Sequence, residues 1–272
     1  VVFAANPSAF STSETNHGVE AAARKRRFLL NIVSLDESDM DSVKARVRMG
    51  LSIRPAGVIV YEYDRAGIAA LEYIPKDMPM VVVGGSFGDG EYQVINAERD
   101  GGRWMTMHLL DLGHRTVFHV GRPEGPTDNT RTNGWRDALK ERGVTAPDPI
   151  IVPDDDLEES VKAGRTLGRR GDVTAIFAGN DETAIAVIRG LREVGRRVPA
   201  DVSVVGFDHR NYGAMWNPAL TSYTQNFLDM GERSFRMLFE QIQAKRAGDD
   251  APPSQVEVVQ GKPCLRASER RR

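Results

Sequence analysis

Thr174-Ala-Ile-Phe-Ala-Gly-Asn-Asp181 and Val202-Ser-Val-Val-Gly-Phe-Asp208 are two short apolar runs that each end abruptly in polar residues. Such runs, rich in Val, Ile and Phe and separated by a helical stretch, are typical of neighbouring parallel strands that are buried on both faces. Asn180 and Asp208 are then expected at the carboxyl ends of these strands, which is the edge of an open α/β sheet where ligands bind. The spacing is equally compatible with Asn180 only capping the next helix and Asp208 only starting a turn.

The chemistry of Asn180 and Asp208 indicates which kind of ligand could bind at that edge. A carboxylate accepts hydrogen bonds from two hydroxyls and an amide both donates and accepts, so the pair suits a polyhydroxylated small molecule. Arg131, Trp135 and Phe227 are further candidates, but an arginine is usually exposed and an aromatic ring usually belongs to a core. The residues alone leave open whether any of these three side chains contacts a ligand.

The composition is that of an ordinary globular protein of 272 residues. Its 36 Lys and Arg against 38 Asp and Glu give a net charge of −2, which provides no overall basic surface for nucleic acid or an anionic membrane. No apolar run approaches the roughly 20 residues that span a bilayer. The single cysteine, Cys264, excludes an internal disulfide framework and says little about the compartment beyond being compatible with a reducing one. We expect no membrane partner.

Strand-like and helix-like segments alternate along most of the chain, which predicts an α/β fold with parallel sheets and helices on both faces. The expected strands lie near 1–5, 28–33, 57–61, 80–84, 115–120, 149–152, 174–178 and 202–206. The expected helices lie near 16–26, 40–53, 66–73, 100–112, 133–142, 157–169, 181–195 and 228–246. Because the turn-forming stretch 84–90 interrupts the alternation, two doubly wound lobes are a better division than one sheet.

The predicted lobes are discontinuous in sequence. The N-terminal lobe is expected to comprise 1–96 plus 226–250, and the C-terminal lobe 97–225 plus 251–272. The non-helical segment 218–225 would return the chain to the first lobe. Two lobes joined in this way predict a hinged cleft.

Motifs for other functions are weak or absent. Gly84-Gly-Ser-Phe-Gly88 matches the G-x-S-x-G pattern of a serine hydrolase, with Ser86 as the nucleophile. That motif requires a helix directly after the serine, and loop-like residues follow instead. No dinucleotide-binding or Walker sequence occurs, and the five histidines lack the spacing and the cysteine partners of a zinc site. We therefore expect no enzyme, no metal and no cofactor.

A series of further motifs extends over about the whole chain. In order, they are Leu112-Gly-His-Arg115 with the following strand and Gly121, Arg131-Thr-Asn-Gly-Trp135, the segment 174–181, Val198-Pro-Ala-Asp-Val-Ser-Val-Val-Gly-Phe-Asp208, Pro218-Ala-Leu-Thr221 with Gln225 and Met230-Gly231, and Pro263-Cys-Leu-Arg-Ala-Ser268. This combination resembles the effector-binding core of the LacI/GalR family of bacterial transcriptional repressors. The resemblance implies a periplasmic-binding-protein-like type I fold, with two parallel-sheet lobes and an effector in the cleft between them.

The resemblance also implies roles for particular residues. Ligand contacts are implied for Arg131, Asn180, Asp208 and Phe227, and more weakly, by position in the first strand-to-helix loop, for Asn6 and Phe10. Contacts across a homodimer are implied for Ile185, Tyr212, Met215 and Trp216. Gly84 and Gly85 stand where many relatives have Asp or Arg, so the identity of the effector does not carry over.

The implied function is to bind a small polar metabolite, such as a sugar or a nucleoside-like effector, and thereby to modulate operator DNA binding. Family members carry an N-terminal helix-turn-helix headpiece of roughly 60 residues, and Val1 stands where that headpiece would end. Operator DNA is therefore expected as a partner only through such a headpiece. The alternative is a solute-binding protein of a transporter, which shares the fold. A helix-turn-helix encoded upstream of Val1 would favour the regulator, and a signal peptide the transporter component.

Overall fold

Two compact units make up the protein in the computed structural model, which describes residues 1–36, 38–85, 92–123, 127–153 and 156–272. The first unit comprises Val1–Asn96, Gly125–Thr127 and Asn226–Gln260. The second comprises Ala97–Glu124, Asp128–Gln225 and Gly261–Arg272. Each unit is built around its own sheet.

Helices and strands alternate for most of the chain. In order, the elements are β1 (Val2–Ala4), α1 (Phe10–Lys25), β2 (Ile32–Ser34), α2 (Met40–Ser52), β3 (Val58–Tyr61), α3 (Arg65–Leu71), β4 (Met80–Val83), β5 (Gln93–Asn96), α4 (Glu98–Asp111), β6 (Phe118–Gly121), α5 (Arg131–Glu141), β7 (Ile150–Ile151), α6 (Leu157–Gly168), β8 (Ala175–Ala178), α7 (Asp181–Glu193), β9 (Ser203–Phe207), α8 (Asn211–Met215), β10 (Thr221–Thr224), α9 (Phe227–Ala247), β11 (Val256–Val259) and β12 (Lys262–Cys264). This alternation confirms the predicted α/β class.

The two sheets have the same strand order. The first runs β11-β5-β4-β3-β1-β2 and the second β12-β10-β9-β8-β6-β7. The described strand pairs are parallel except that β12 runs antiparallel to β10. In each sheet the order reverses beside the first strand of the unit, between β1 and β3 and between β6 and β8. The crevice beyond the carboxyl ends at such a reversal is the usual ligand site of open α/β sheets.

The central strands of the second unit, β6, β8 and β9, bury both faces, as the apolar runs predict for β8 and β9. On β8, Ile176 and Ala178 pack in one core cluster with Val187 of α7. Ala175 and Phe177 point to the other face and pack with residues of α4 and α5. Because successive side chains alternate between two apolar layers, the strand has no solvated face, and polar side chains are expected where it ends.

Three helix pairs pack closely because each helix presents a glycine at the crossing. The pairs are α1 and α9 with Gly18 and Gly231, α4 and α5 with Gly102 and Gly134, and α6 and α7 with Gly164 and Gly190. A Cβ atom added at Gly190 would lie 2.1 Å from the carbonyl oxygen of Val161. Such a contact is far inside van der Waals distance, so these glycines set the spacing of the helices.

Four strands were not predicted, and two of them contain buried polar residues. Gln93 of β5 and both Thr221 and Ser222 of β10 are fully buried. Their side chains are satisfied by hydrogen bonds to residues outside their own strands, such as Gln93 Nε2 to the carbonyl oxygen of Gly84 at 2.7 Å and the Ser222 hydroxyl to Asp181 Oδ1 at 2.6 Å. An apolar pattern could not reveal them, which is why 218–225 was expected to be merely a connecting segment.

The predicted assignment of 251–272 entirely to the C-terminal lobe is wrong for its first part. β11 pairs in parallel with β5, with Val256 opposite Gln93, and so completes the first sheet. The chain enters the second unit only at Gly261. The edge of β5 supplies the hydrogen-bonding partners that place β11, and no local signal in 251–260 indicates which sheet it joins.

Replacing Gly190 by Ala should destabilise the protein by about 1–3 kcal/mol, because the added methyl group overpacks the contact between α6 and α7. Gly171→Ala is the matched control, since a Cβ atom at Gly171 meets nothing within 4 Å. Urea unfolding followed by circular dichroism gives the midpoint of each variant. Equal midpoints for Gly190→Ala and Gly171→Ala would contradict this account of the helix packing.

Candidate ligand-binding site

Arg131 lies at the centre of a polar cluster at the carboxyl edge of the second sheet. It is the first residue of α5, whose N-terminus is capped by the Thr130 hydroxyl accepting from the backbone of Asn133 at 3.1 Å. Glu98 is the first residue of α4, and Asp208 directly follows β9. Helices α4 and α5 begin at this edge of the sheet and β9 ends there, so the three side chains lie close together.

The Arg131 guanidinium is surrounded by acceptors and by an aromatic ring. Nη2 lies 2.9 Å from Asp208 Oδ1 and 3.1 Å from Glu98 Oε1. Nη1 donates to the carbonyl oxygen of Gly179. The guanidinium carbon lies 4.2 Å from the centre of the Phe207 ring, a cation–π arrangement. The buried Nε has no hydrogen-bond partner within the part of the chain that the structure describes.

Burial and charge act in opposite directions on Arg131. Burial lowers the pKa of the guanidinium, but the charges of Asp208 and Glu98 outweigh it, so the net shift of the pKa is upward. The side chains of Arg131 and Asp208 are 11% and 10% exposed, so their attraction is screened less than that of a surface pair. One cation facing two carboxylates leaves the cluster with a formal charge of −1.

The backbone at Asp208 adopts an uncommon conformation. Asp208 and the following His209 have φ angles of +83° and +53°, which for residues other than glycine is strained. The Asp208 carboxylate accepts a hydrogen bond from Gln225 Nε2 at 2.8 Å as well as from Arg131. The strained turn thus carries a carboxylate that two hydrogen-bond donors hold in place.

An aromatic layer lies behind the guanidinium. His119 stacks between Trp135 and Phe177, with ring centroids 5.2 Å and 4.9 Å apart, and Phe177 packs against Phe207. Burial lowers the pKa of His119 to about 4, so the ring is neutral at physiological pH. Its Nδ1–H donates to the Phe177 carbonyl oxygen at 2.8 Å, and Nε2 accepts from the Thr132 hydroxyl at 2.9 Å. His119 is therefore a core residue with both nitrogens satisfied.

Trp135 is also a core residue. Its side chain is fully buried, and its indole N–H donates to the carbonyl oxygen of Val117 at 2.9 Å. The sequence left its role open, and the structure assigns it to packing beneath the site.

Asn180 caps the helix that follows it, as one of the two predicted alternatives stated. Its Oδ1 accepts from the backbone N–H of Thr183 at 2.8 Å and so satisfies one of the free donors at the start of α7. The cap uses only the carbonyl oxygen of the amide. The amino end is left to donate to another partner, so capping and ligand binding by Asn180 are compatible.

The remaining predicted ligand contacts lie in the first unit. Phe227 is 4% exposed and belongs to the core there, where it meets Phe10 edge to face at 5.8 Å. Asn6 Oδ1 accepts from the Ser8 hydroxyl at 2.9 Å and from the backbone of Ala9 at 3.1 Å, which shapes the turn before α1. Roles for Phe227, Phe10 and Asn6 toward a ligand stay predictions.

Glu98 and Gln225 belong to the cluster but were not predicted as site residues. Glu98 opens a helix, where a carboxylate is ordinarily explained by the helix dipole. Gln225 follows a strand that the apolar pattern missed. The positions of Glu98 and Gln225 could have identified them, because α4 begins and β10 ends at the carboxyl edge of the sheet.

Several other expectations concern features outside this cluster. Ser86 lies outside the described residues, so the structure says nothing about it as a nucleophile. Across the described ranges, no three His, Cys, Asp or Glu side chains are grouped closely enough to hold a metal ion. None of the helices in those ranges has the length and apolar character needed to cross a membrane.

Comparison with known sequences places the chain in a family. The family model described as a periplasmic binding protein-like domain matches residues 106–268. The HTH-type transcriptional repressor PurR of Yersinia enterocolitica (serotype O:8 / biotype 1B) is 30% identical over 253 residues, covering 90% of this chain and 72% of the repressor. PurR of Proteus mirabilis is 31% identical over 251 residues, with the same coverage. These relatives are repressors rather than enzymes.

Solved structures share the architecture. The transcriptional regulator CelR in complex with cellobiose has a TM-score of 0.83 at 26% identity, covering 98% of this chain and 83% of that one. The lac repressor dimer bound to operator and the anti-inducer ONPF has a TM-score of 0.81 at 22% identity, covering 99% and 93%, which shows the fold alone. The chain therefore belongs to the periplasmic-binding-protein-like family and forms the effector-binding core of a LacI-family transcriptional regulator.

Proposed function

We propose that this core binds a small, hydroxyl-rich metabolite, a sugar or a nucleoside-like compound, at the cluster around Arg131 and Asp208. The observation that carries the proposal is the buried Arg131 guanidinium, which is held between carboxylates while its Nε lacks a partner among the described residues. Buried polar groups are almost always hydrogen-bonded, so an unpartnered donor at a sheet edge is a candidate contact for a ligand.

The charge of the cluster favours a neutral ligand over an anionic one. Arg131 offers one donor, whereas Asp208 and Glu98 offer carboxylate oxygens that accept hydrogen bonds from hydroxyls. An anion at the same place would lie beside two carboxylates and one cation. The amino group of Asn180 adds a donor, and Phe227, Phe10 and Asn6 are proposed as further contacts.

Ligand occupancy is proposed to modulate binding of the full-length regulator to operator DNA. A ligand shifts the equilibrium between two conformations only by the difference of its affinities for them, typically about 1–3 kcal/mol. The DNA contact itself is assigned to a helix-turn-helix segment, since the PurR relatives are described as HTH-type repressors. The protein is proposed to act in the cytoplasm, without catalysis.

Two alternatives of other classes are less well supported. A solute-binding protein of a transporter would share the fold, but the PurR relatives are transcriptional repressors. A serine hydrolase would require Ser86 to act as the nucleophile, and no sequence feature besides G-x-S-x-G supports it.

A homodimer is the second part of the proposal, with contacts from Ile185, Tyr212, Met215 and Trp216. Met215 is 81% exposed and Trp216 is 36% exposed, so two large apolar side chains lie side by side on the surface of the second unit. Ile185 and Tyr212 are half-buried. An exposed apolar patch of this kind is unfavourable in a monomer and is relieved when a second copy covers it.

Binding should depend on Arg131 and Asp208. A thermal-shift screen against mono- and disaccharides, purine bases and nucleosides identifies a compound that raises Tm, because binding to the folded state stabilises it. We expect Arg131→Ala and Asp208→Ala to weaken binding of that compound roughly tenfold to over a hundredfold, since removing one partner of a charge-assisted bond costs about 1.5–3 kcal/mol. Isothermal titration calorimetry gives the dissociation constants.

The control for this experiment is Arg136→Ala, which removes an exposed arginine on the same helix that bonds only to Asn133 among the described residues. Binding by Arg136→Ala should equal that of the wild type. Wild-type affinity in both Arg131→Ala and Asp208→Ala would show that the ligand binds elsewhere.

Met215→Asp should convert the dimer into a monomer, because a charge would be buried without a partner at the contact. Leu157→Asp is the matched control, a similarly exposed apolar residue at the start of α6 in the same unit. Multi-angle light scattering at micromolar concentration measures the mass. A dimer that persists in Met215→Asp, or a wild type that is already monomeric, would refute this interface.

A further inference from the structure

The turn after β9 carries Asp208 in a strained backbone conformation, which requires stabilising contacts from the surrounding residues. Asp208 and His209 both have positive φ angles. Strained backbone of this kind persists only where surrounding contacts determine it. The backbone N–H of Asp208 donates to the carbonyl oxygen of Tyr223 at 2.9 Å, which anchors one end of the turn to β10. The next two N–H groups, of His209 and Arg210, donate to side chains instead.

The side chain of Asp181, the first residue of α7, fixes the Arg210 N–H directly and the His209 N–H through the Ser222 hydroxyl. Its Oδ2 accepts directly from the backbone N–H of Arg210 at 2.6 Å. Its Oδ1 accepts from the Ser222 hydroxyl at 2.6 Å, and the same hydroxyl oxygen accepts from the backbone N–H of His209 at 3.0 Å. One carboxylate thus fixes two successive residues of the turn, one directly and one through a hydroxyl.

The local packing is shaped around this carboxylate. Asp181 and Ser222 are fully buried. A Cβ atom at Gly206 would lie 2.3 Å from Asp181 Oδ1, and one at Gly213 would lie 3.3 Å from Oδ2. The glycine before the turn and the glycine after it therefore leave space for the Asp181 carboxylate, which a larger side chain at Gly206 would fill.

We propose that Asp181 is a positioning residue, whose carboxylate holds the turn from Asp208 to Arg210 so that the Asp208 side chain meets Arg131. Its effect on ligand affinity rests on the proposed function, whereas its effect on the turn does not. The hydrogen bonds described for the Asp181 carboxylate go to the Arg210 N–H and to the Ser222 hydroxyl, so its contact with the Arg131 cluster is made through the turn.

The ionised form of Asp181 suits this role. Burial, reinforced by the charges of Asp208 and Glu182, raises the pKa of Asp181 to about 7. The hydrogen bonds from Ser222 and from the Arg210 backbone act in the opposite direction, because they favour the charged form. Protonation would turn one acceptor oxygen into a donor and leave either the Ser222 hydroxyl or the Arg210 N–H without its present acceptor.

The pH dependence of stability that Asp181 contributes is opposite to that of most aspartates, whose pKa is lowered by folding. The pKa lies near 3.8 in an unfolded chain and about 7 in the folded protein, so the folded state binds the proton more tightly. This group therefore contributes stability below pH of about 4, and that contribution is lost as the pH rises through 7. Ionised Asp181 opposes folding while it organises the turn, so Asp181→Asn should not lower the unfolding midpoint at pH 8.

Nuclear magnetic resonance of the ligand-free protein tests the proposal. Because no ligand takes part, a negative result counts against the role of Asp181 and not against the proposed function. We follow the backbone amides of His209 and Arg210 and the Nε–H of Arg131 between pH 5.5 and 8.5. In the wild type, the Arg210 amide and the Arg131 Nε signals should shift together with a midpoint near pH 7. In Asp181→Asn this transition should vanish, the Arg131 signal should move, and the Arg210 amide should exchange with solvent on the order of tenfold faster.

Two further variants make the experiment decisive. Glu182→Gln is the matched control, because the Glu182 carboxylate lies 3.2 Å from the Arg210 side chain rather than from the backbone of the turn. It should retain the transition, with a midpoint somewhat below that of the wild type, because the Glu182 charge is one of the causes of the raised Asp181 pKa. Ser222→Ala keeps Asp181 but removes the relay to His209, and should shift the His209 amide and the Arg131 signal. Should Asp181→Asn fail to fold, Ser222→Ala decides the matter.

His209 is a further group in the turn that can change its charge. Burial and the charges of Arg266 and Lys262 lower its pKa below the ordinary 6.5. A transition near pH 7 that persists in Asp181→Asn would therefore not belong to Asp181 and would overturn the proposal. An Arg131 signal that stays at its wild-type position in Asp181→Asn and in Ser222→Ala would overturn it as well.

Discussion

Strands buried on both faces carry few polar side chains along their length, and this constraint concentrates the polar chemistry of the second unit where its strands end. β8 ends before Gly179 and Asn180, and β9 ends before Asp208. Parallel pairing brings these ends to one edge. Arg131 then reaches a carbonyl oxygen from one strand end and a carboxylate from the next. The site follows from the same pattern that builds the sheet.

The cluster at this edge combines several features that lower the stability of the fold. Arg131 is buried with an Nε that has no hydrogen-bond partner among the described residues, Asp208 has a left-handed backbone conformation, and Asp181 is buried with a raised pKa. None of these features is expected of residues selected for folding alone, and strain and perturbed pKa values concentrate at functional sites. The stability that offsets them comes from the apolar layers and from the glycine-mediated contacts between helices.

The sequence predicted the class of fold and the strand ends that carry Asn180 and Asp208, because both depend on local apolar patterns. It missed β5 and β10, where Gln93 and Ser222 are buried but polar. A buried polar side chain can be recognised only from its partner, and Ser222 meets Asp181 across 41 positions of sequence. The same reason explains why Asp181 was not predicted.

Long-range contacts also decided the points that the sequence left open or assigned wrongly. Trp135 could have been a ligand contact until its indole N–H was seen to bond within the core. The segment 251–260, in which β11 was not predicted, was assigned to the wrong lobe because its place depends on the edge of β5. For Asn180, capping satisfies the carbonyl oxygen of the amide, and a ligand contact by its amino group stays a prediction.

The most direct test of the account is a crystal structure of the protein with the compound that raises its Tm most. The account predicts a ligand hydroxyl or carbonyl oxygen about 3 Å from Arg131 Nε, with a ligand hydroxyl donating to Asp208 or Glu98. A ligand bound without contact to Arg131 or Asp208, with their ion pair unchanged, would contradict it.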